Sequence, residues 1–347
     1  MLWLASVFGL MAVGGAALMD FSLSEDDTDD EDPIPTGEDG LGVGYIEPGD
    51  SEPEPGPVDD SDADTDLDPA VEPDPAFAEL TGTEGADILP GTETADSISG
   101  LGGDDQIAGY DGDDTLDGGD GDDVVHGNNG DDSLTGGDGK DLLHGQDGED
   151  TLDGGDGEDS LYGHFGNDSL HGGGGADVIY GGQDQDLVSG GDGNDLLLGN
   201  EGDDLLLGGA GEDALFGGAG DDVVIGADDT GDKDHLNGGQ GDDTMIAGAG
   251  DVLTGGEGAD SFTVGSWTGS ETAVRLMDFD AAEDQLLLVW DYQDGAEPVV
   301  EVRPNPDADG EQVVLVDGVA ALRLSGAEGL TAADLVLTDA PSAEAAG

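Results

Sequence analysis

From residue 82 to residue 225 a bulky aliphatic returns at every ninth position: Leu89, Ile98, Ile107, Leu116, Val125, Leu134 and so on to Val224. A period of nine fits neither a single alternating strand nor an amphipathic helix, and points to internal repetition. Each aliphatic sits at the centre of a three-residue run that follows a glycine-rich half-unit. Sixteen such units follow one another without insertion, beginning at Gly82, Gly91, Gly100 and every ninth residue to Gly217. The unit from Gly190, GGDGNDLLL, is representative. Its first half is too rich in glycine for helix or long strand, because glycine costs ordering entropy and packs nothing. It suits a curled loop whose carbonyls aim inward. The last three residues predict a very short strand, its middle side chain on one face and its neighbours on the other. Two units then make one coil of eighteen residues, and the coils stack with parallel pairing around a thin aliphatic core. The predicted fold is all-β: a solenoid of stacked parallel coils.

The sixth position carries the chemistry. It is aspartate in all sixteen units: Asp87, Asp96, Asp105, Asp114, Asp123, Asp132, Asp141, Asp150, Asp159, Asp168, Asp177, Asp186, Asp195, Asp204, Asp213 and Asp222. One aliphatic per nine residues is too little burial to offset roughly 1–2 kcal/mol of backbone entropy per residue. Stacking also sets the carboxylates in columns about 5 Å apart, where they repel. A hard divalent cation answers both problems, because Ca²⁺ accepts six to eight oxygens from carboxylates and backbone carbonyls.

The nonad G-G-x-G-x-D-x-U-x (U, a bulky aliphatic) resembles the RTX (hemolysin-type) calcium-binding repeat. Residues 118–126 (GGDGDDVVH) and 208–216 (GGAGEDALF) match it fully. Departures include Thr94 and Asp184 at the fourth position, and Thr92, Leu101, Asn128 and Asn200 at the second. The resemblance implies a right-handed parallel β-roll solenoid filled with calcium, with the sixth-position aspartates as ligands and about ten ions by the number of coil-to-coil gaps. Beyond the regular region the phase slips through units of twelve, ten and seven residues and recovers at Gly255. Asp234, Asp243 and Asp260 keep the ligand position there, as in the irregular terminal coils of a solenoid. The roll is expected over residues 81–264.

Composition agrees with a need for cations. The 347 residues hold 86 Asp and Glu against 5 Lys and Arg, a formal charge of −81. That charge excludes nucleic acid and anionic membrane surfaces as electrostatic partners. No cysteine is present, so there is no disulfide framework or thiolate metal site.

Residues 1–19 are uncharged and apolar and lead directly into an acidic run, which reads as a signal peptide or as an uncleaved membrane anchor. Family members resemble substrates exported by a carboxyl-terminal signal, so this stretch departs from the pattern. Residues 20–80 are rich in Asp, Glu and Pro and predict an extended, self-repelling linker. Asp62, Asp64 and Asp66 imitate the start of an EF-hand loop, but Leu67 and Pro73 stand where Gly and Glu are required. From about residue 265 to 340 the pattern predicts a small antiparallel β cap, with short runs at 273–277, 285–290, 299–303, 312–316, 320–324 and 334–337. The dipeptides Asp294-Gly295, Asp309-Gly310 and Asp317-Gly318 mark turns between them. Residues 277–280 and 330–334 resemble segments that cap such rolls, and residues 341–347 form a tail. Asn305, Asp307, Asp309 and Gly310 also imitate an EF-hand opening, yet Val316 occupies the Glu position, which leaves a turn.

Strand positions seven and nine should face outward, and alternate units share a face. One face carries His126, His144, Tyr162, Tyr180, Leu198 and Phe216 at the ninth position; the other is mostly Ser, Thr, Asp and His until Leu205. An apolar stripe of this kind marks either an interface, covered by the cap or by another chain, or rings stacked for stability. His126 and His144, one coil apart, are two imidazoles without a third ligand, a poor transition-metal site. There is no H-E-x-x-H and no G-x-S-x-G, and no segment outside the roll is large enough for a catalytic domain. The expectation is a non-enzymatic, exported bacterial protein at the cell surface or outside it that folds on binding several Ca²⁺. The alternatives are an adhesin or matrix protein with structural calcium, and a degenerate enzyme.

Overall fold

In the computed structural model the described residues are 79–226, 232–265, 273–290, 298–306, 308–327 and 329–339. Residues 1–19, most of the acidic linker, Asp294-Gly295 and the tail lie outside them. The described residues form strands and turns with no helix, and therefore no helix long and apolar enough to cross a membrane.

The strands fall into two sheets, one of 13 strands and one of 14, and successive strands of the roll alternate between them. Register is held by the eighteen-residue coil: Ser160 pairs with Val178, Leu161 with Ile179 and Tyr162 with Tyr180, all parallel. Every eighth-position aliphatic points inward. Leu143, Leu161, Leu197 and Leu215 are fully buried between the sheets, and the stack runs on through Leu236, Met245, Leu253 and Phe262.

The strands are longer than the three residues the pattern predicts. A typical one, Thr115–Asp120, runs through the last three positions of one unit and the first three of the next. The ladder omits one residue: Leu116 pairs with Leu134 and Gly119 with Gly137, while the intervening first-position glycine has no partner in register. The turn is thereby confined to positions four to six. The second position takes positive φ, at Gly119 and Gly137 for example. Leu101, Tyr110, Asn128, Gln146, His164 and Asn200 occupy the same position at φ between 79° and 88°. Each such non-glycine residue costs about 1 kcal/mol or more locally. The surrounding ladder supplies that cost.

The phase slips in sequence are absorbed in space. Leu215 pairs with Leu236 and Val224 with Met245, so two coils hold 21 residues; the next pairings, Leu236 with Leu253 and Met245 with Phe262, span 17. The cap continues the roll. Gln285–Trp290 and Val336–Asp339 extend the 13-stranded sheet in parallel, and Val274–Leu276 and Val319–Ser325 extend the other. Only Val300–Pro304, Glu311–Val316 and Val319–Ser325 form the expected antiparallel meander, joined at Asp317-Gly318 by a hairpin with positive φ at both residues. Among the described residues the cap thus lies at the end of the stack. Its own core joins that of the roll, where Phe279 meets Phe262 edge-on at 6.2 Å. Asp278 closes the last glycine loop by accepting the N–H groups of Gly255 and Gly256 at 2.9 and 3.0 Å.

Candidate metal centre

The structure gathers the sixth-position aspartates into two continuous columns, one before each sheet. In each column the backbone N–H of one aspartate donates to the Oδ1 of the aspartate one coil further on. Asp150 donates to Asp168 at 2.8 Å, Asp168 to Asp186 at 2.9 Å and Asp186 to Asp204 at 2.9 Å; the other column runs Asp123, Asp141, Asp159, Asp177 and Asp195 in the same way. From Asp96 to Asp260 these aspartates are buried, while Asp87 at the open end is partly exposed.

The columns extend past the residues expected from the repeat. Asp234 donates to Asp251 Oδ1 and Asp260 to Asp284 Oδ1. Neither Asp251 nor Asp284 follows a regular glycine loop. Both do precede an x-U-x run (VLT and QLL), and D-x-U-x alone would have found them.

Within the columns Oδ1 is satisfied and most Oδ2 atoms are not; only towards the ends does Oδ2 find a donor, Asp96 from the Thr92 N–H and Asp251 from the Gly248 N–H. The Oδ2 atoms of Asp105, Asp123, Asp150, Asp186 and Asp222, among others, are buried with no hydrogen-bond partner. Each lies against the first-position glycine of its own unit. A Cβ built on Gly154 would stand 2.6 Å from Asp159 Oδ2 and 2.5 Å from the carbonyl oxygen of Gly172. At the fourth position the carbonyl of one coil points at the glycine of the next, so a Cβ on Gly121 would lie 2.5 Å from Gly103 O. Glycine is needed here to keep a pocket of oxygens open and to let carbonyls approach.

This donor set has a definite preference. Among the described residues no three His, Cys, Asp or Glu side chains come together to hold a metal by themselves. An ion here must therefore combine a carboxylate oxygen with backbone carbonyls. All-oxygen, partly main-chain coordination suits Ca²⁺, and not a transition metal that prefers nitrogen or sulfur. A buried carboxylate oxygen without a partner is costly unless a cation or proton neutralises it.

The protons show the same strain. Burial pushes Asp186 up to about 8, against the pull of the Asp168 N–H and helped by the Asp168 and Asp204 carboxylates. Burial likewise raises Asp132, Asp141, Asp168, Asp195 and Asp243 to about 7. The unfolded value is 3.8, so between that pH and about 7 the metal-free roll binds more protons than the unfolded chain. Its stability must then fall as pH rises through this window. Calcium competes with those protons, so its affinity rises with pH over the same range. Circular dichroism in chelator is expected to show most β structure near pH 4 and least near pH 8. The calcium midpoint is expected to drop as pH is raised from 5 to 8.

The outward face carries a ring stack. His126 lies 4.8 Å from His144, His144 4.7 Å from Tyr162, and Tyr162 4.9 Å from Tyr180, with interplanar angles of 5° to 13°. The rings use their faces on one another, which is the stability reading of the stripe. Beyond Tyr180 it continues through Leu198 and Phe216 in register.

The family model for the RTX calcium-binding nonapeptide repeat matches overlapping segments from residue 81 to residue 266, among them 81–116, 117–152, 153–188 and 189–224. No curated protein matches the chain.

Proposed function

The chain belongs to the RTX calcium-binding nonapeptide repeat family, which supports calcium binding by its repeats; on that footing we propose that binding is a folding switch used on export. In this reading the sixth-position aspartates, with neighbouring carbonyls, hold the ions. The calcium-poor cytoplasm leaves the chain extended and able to be exported, and calcium outside drives folding because it binds only the stacked coils. The buried, partnerless Oδ2 atoms carry the proposal: without a cation the columns work against the roll. Affinity belongs to the weak extracellular class, roughly 10⁻⁴–10⁻³ M. The protein acts without catalysis, for it has neither H-E-x-x-H nor G-x-S-x-G.

Protease added to intact cells producing the full chain tests the export reading. The expected result is rapid cleavage in chelator and protection of a fragment spanning the repeats in millimolar calcium. Cleavage only after lysis would overturn it. A second reading, self-association through the ring-bearing face, is favoured by the stripe of Leu198 and Phe216 beyond the stacked rings. A calcium-loaded chain that sediments as a monomer at all concentrations excludes it.

A further inference from the structure

The two aspartate columns begin differently from the way they continue. In the first coil threonine stands at the second position of both units, Thr83 in GTEGAD and Thr92 in GTETAD. From Leu101 to Gly218 the second position takes positive φ, and from Gly103 to Gly220 so does the fourth; Thr83, Gly85, Thr92 and Thr94 do not. A β-branched residue resists that left-handed region. The first strands, Glu79–Thr81 and Ile88–Pro90, stop short of the second position, whereas Ser97–Gly102 and its successors run through it. The threonine N–H is thereby released from the ladder and turns to the carboxylate of its own unit. Thr83 N–H donates to Asp87 Oδ2 at 2.6 Å. The Thr83 hydroxyl, 2.8 Å from the same oxygen and 3.1 Å from Gly85 O, donates to the nearer, charged acceptor. At Asp96 the Thr92 N–H lies 2.6 Å from Oδ2 and the Thr92 hydroxyl 3.1 Å from it. The same oxygen stands buried without a donor in Asp105, Asp114 and most of the units beyond.

On the reading of the columns as calcium sites, we propose that Thr83 and Thr92 are the residues that end them. The first coil takes no ion, Asp87 and Asp96 are hydrogen-bonded ends and not ligands, and ion binding starts at Asp105 and Asp114. A carboxylate oxygen offers about two lone-pair sites, and an N–H with a hydroxyl uses both. A cation there would have to displace two donors already aimed at its ligand. Further in, the orphaned Oδ2 awaits a cation; here threonine does the same work with protons, so the end coil keeps its bonds in chelator and in calcium alike. Its backbone still serves the columns, because the Asp87 and Asp96 N–H groups donate to Asp105 and Asp114 Oδ1, both at 2.7 Å. The device is legible in sequence, since of the sixteen regular units only these two carry threonine at the second position.

The test counts ions on the full chain at pH 8 by equilibrium dialysis, with the calcium midpoint read by circular dichroism. Thr83→Gly with Thr92→Gly restores the repeat's own glycine and frees both Oδ2 atoms; it is expected to bind about two more ions than wild type, one per column. A threonine that only stiffened the loop would add none when removed. Asp87→Asn with Asp96→Asn should keep the wild-type ion count and a midpoint within about twofold. Placed in the glycine variant, the same pair should remove the gained ions. Asp168→Asn, inside a column, should raise the midpoint about tenfold, since ligand charge tunes affinity. If Asp87→Asn with Asp96→Asn loses ions while Asp168→Asn behaves as expected, the columns stand and the role of the threonines is refuted. A glycine variant with no added ion refutes it too. No shift in Asp168→Asn would refute the columns as calcium sites and the proposal with them.

Discussion

Valine at Gly157 is expected to cut the roll in two. Gly157 holds the fourth position of its unit at φ +159°, and a Cβ there would overlap the carbonyl oxygen of Gly139 in the preceding coil. The obstacle is backbone, held on both sides by parallel ladders, so nothing can yield cheaply. Coils on either side must separate, with a cost on the order of 4 kcal/mol or more, in the range reserved for core disruption. Because each coil contacts only its neighbours, the damage should stay local. Calcium titration should then resolve two weaker transitions in place of one, and equilibrium dialysis should count fewer ions. Gly85 supplies the control. It has the same position in the first unit, where no coil precedes it among the described residues, and a Cβ there meets nothing within 4 Å. Gly85→Ala should leave stability within about 0.5 kcal/mol. Equal effects at the two sites would refute close carbonyl stacking as the reason for glycine.

Asp168→Asn should act with opposite signs in chelator and in calcium. Asp168 Oδ1 accepts the Asp150 N–H at 2.8 Å, and an amide oxygen can do the same. Burial raises its carboxyl to about 7, so at pH 8 the metal-free roll must hold a buried charge that Asn lacks. The metal-free chain should therefore be as stable as wild type or more so. With calcium the variant loses an anionic ligand, and its midpoint should rise about tenfold, since ligand charge tunes affinity. The residual β signal in chelator and the calcium midpoint, both read by circular dichroism at pH 8, measure the two effects. A change of the same sign in both would mean that the columns are structural in themselves and are not cation sites.

Much of this architecture was legible in the sequence, because a strict nine-residue period transmits directly into space. The aliphatic stack from Leu89 to Val224 and the aspartate columns follow from position alone. What the period does not encode was less accessible. Asp251 and Asp284 were hidden because the coils around them hold 17 and 24 residues, and only pairing in space keeps their register. The strands run longer than x-U-x because the first residues of the next loop also pair, although their glycines argue for a turn. The cap was foreseen as antiparallel. Three of its strands pair only in parallel, and Val319–Ser325 pairs in parallel on one edge and antiparallel on the other, since the open end of a two-sheet roll is most simply closed by continuing both ladders before folding a meander across one edge. His164 went unremarked because a departure from glycine reads as loss of a loop residue. Only the coil brings it beside His144, 20 residues away, where its Nε2 lies 3.0 Å from His144 Nδ1.

The most direct measurement is far-UV circular dichroism of the full chain at pH 8, started in chelator and titrated with calcium, with magnesium as the control. Calcium-driven folding predicts a largely unordered spectrum in chelator, a cooperative rise to β structure with calcium, and little response to magnesium, which demands octahedral geometry and sheds water reluctantly. A β spectrum already complete in chelator would contradict it, and would mean that the aliphatic stack and the cap hold the roll without the ions.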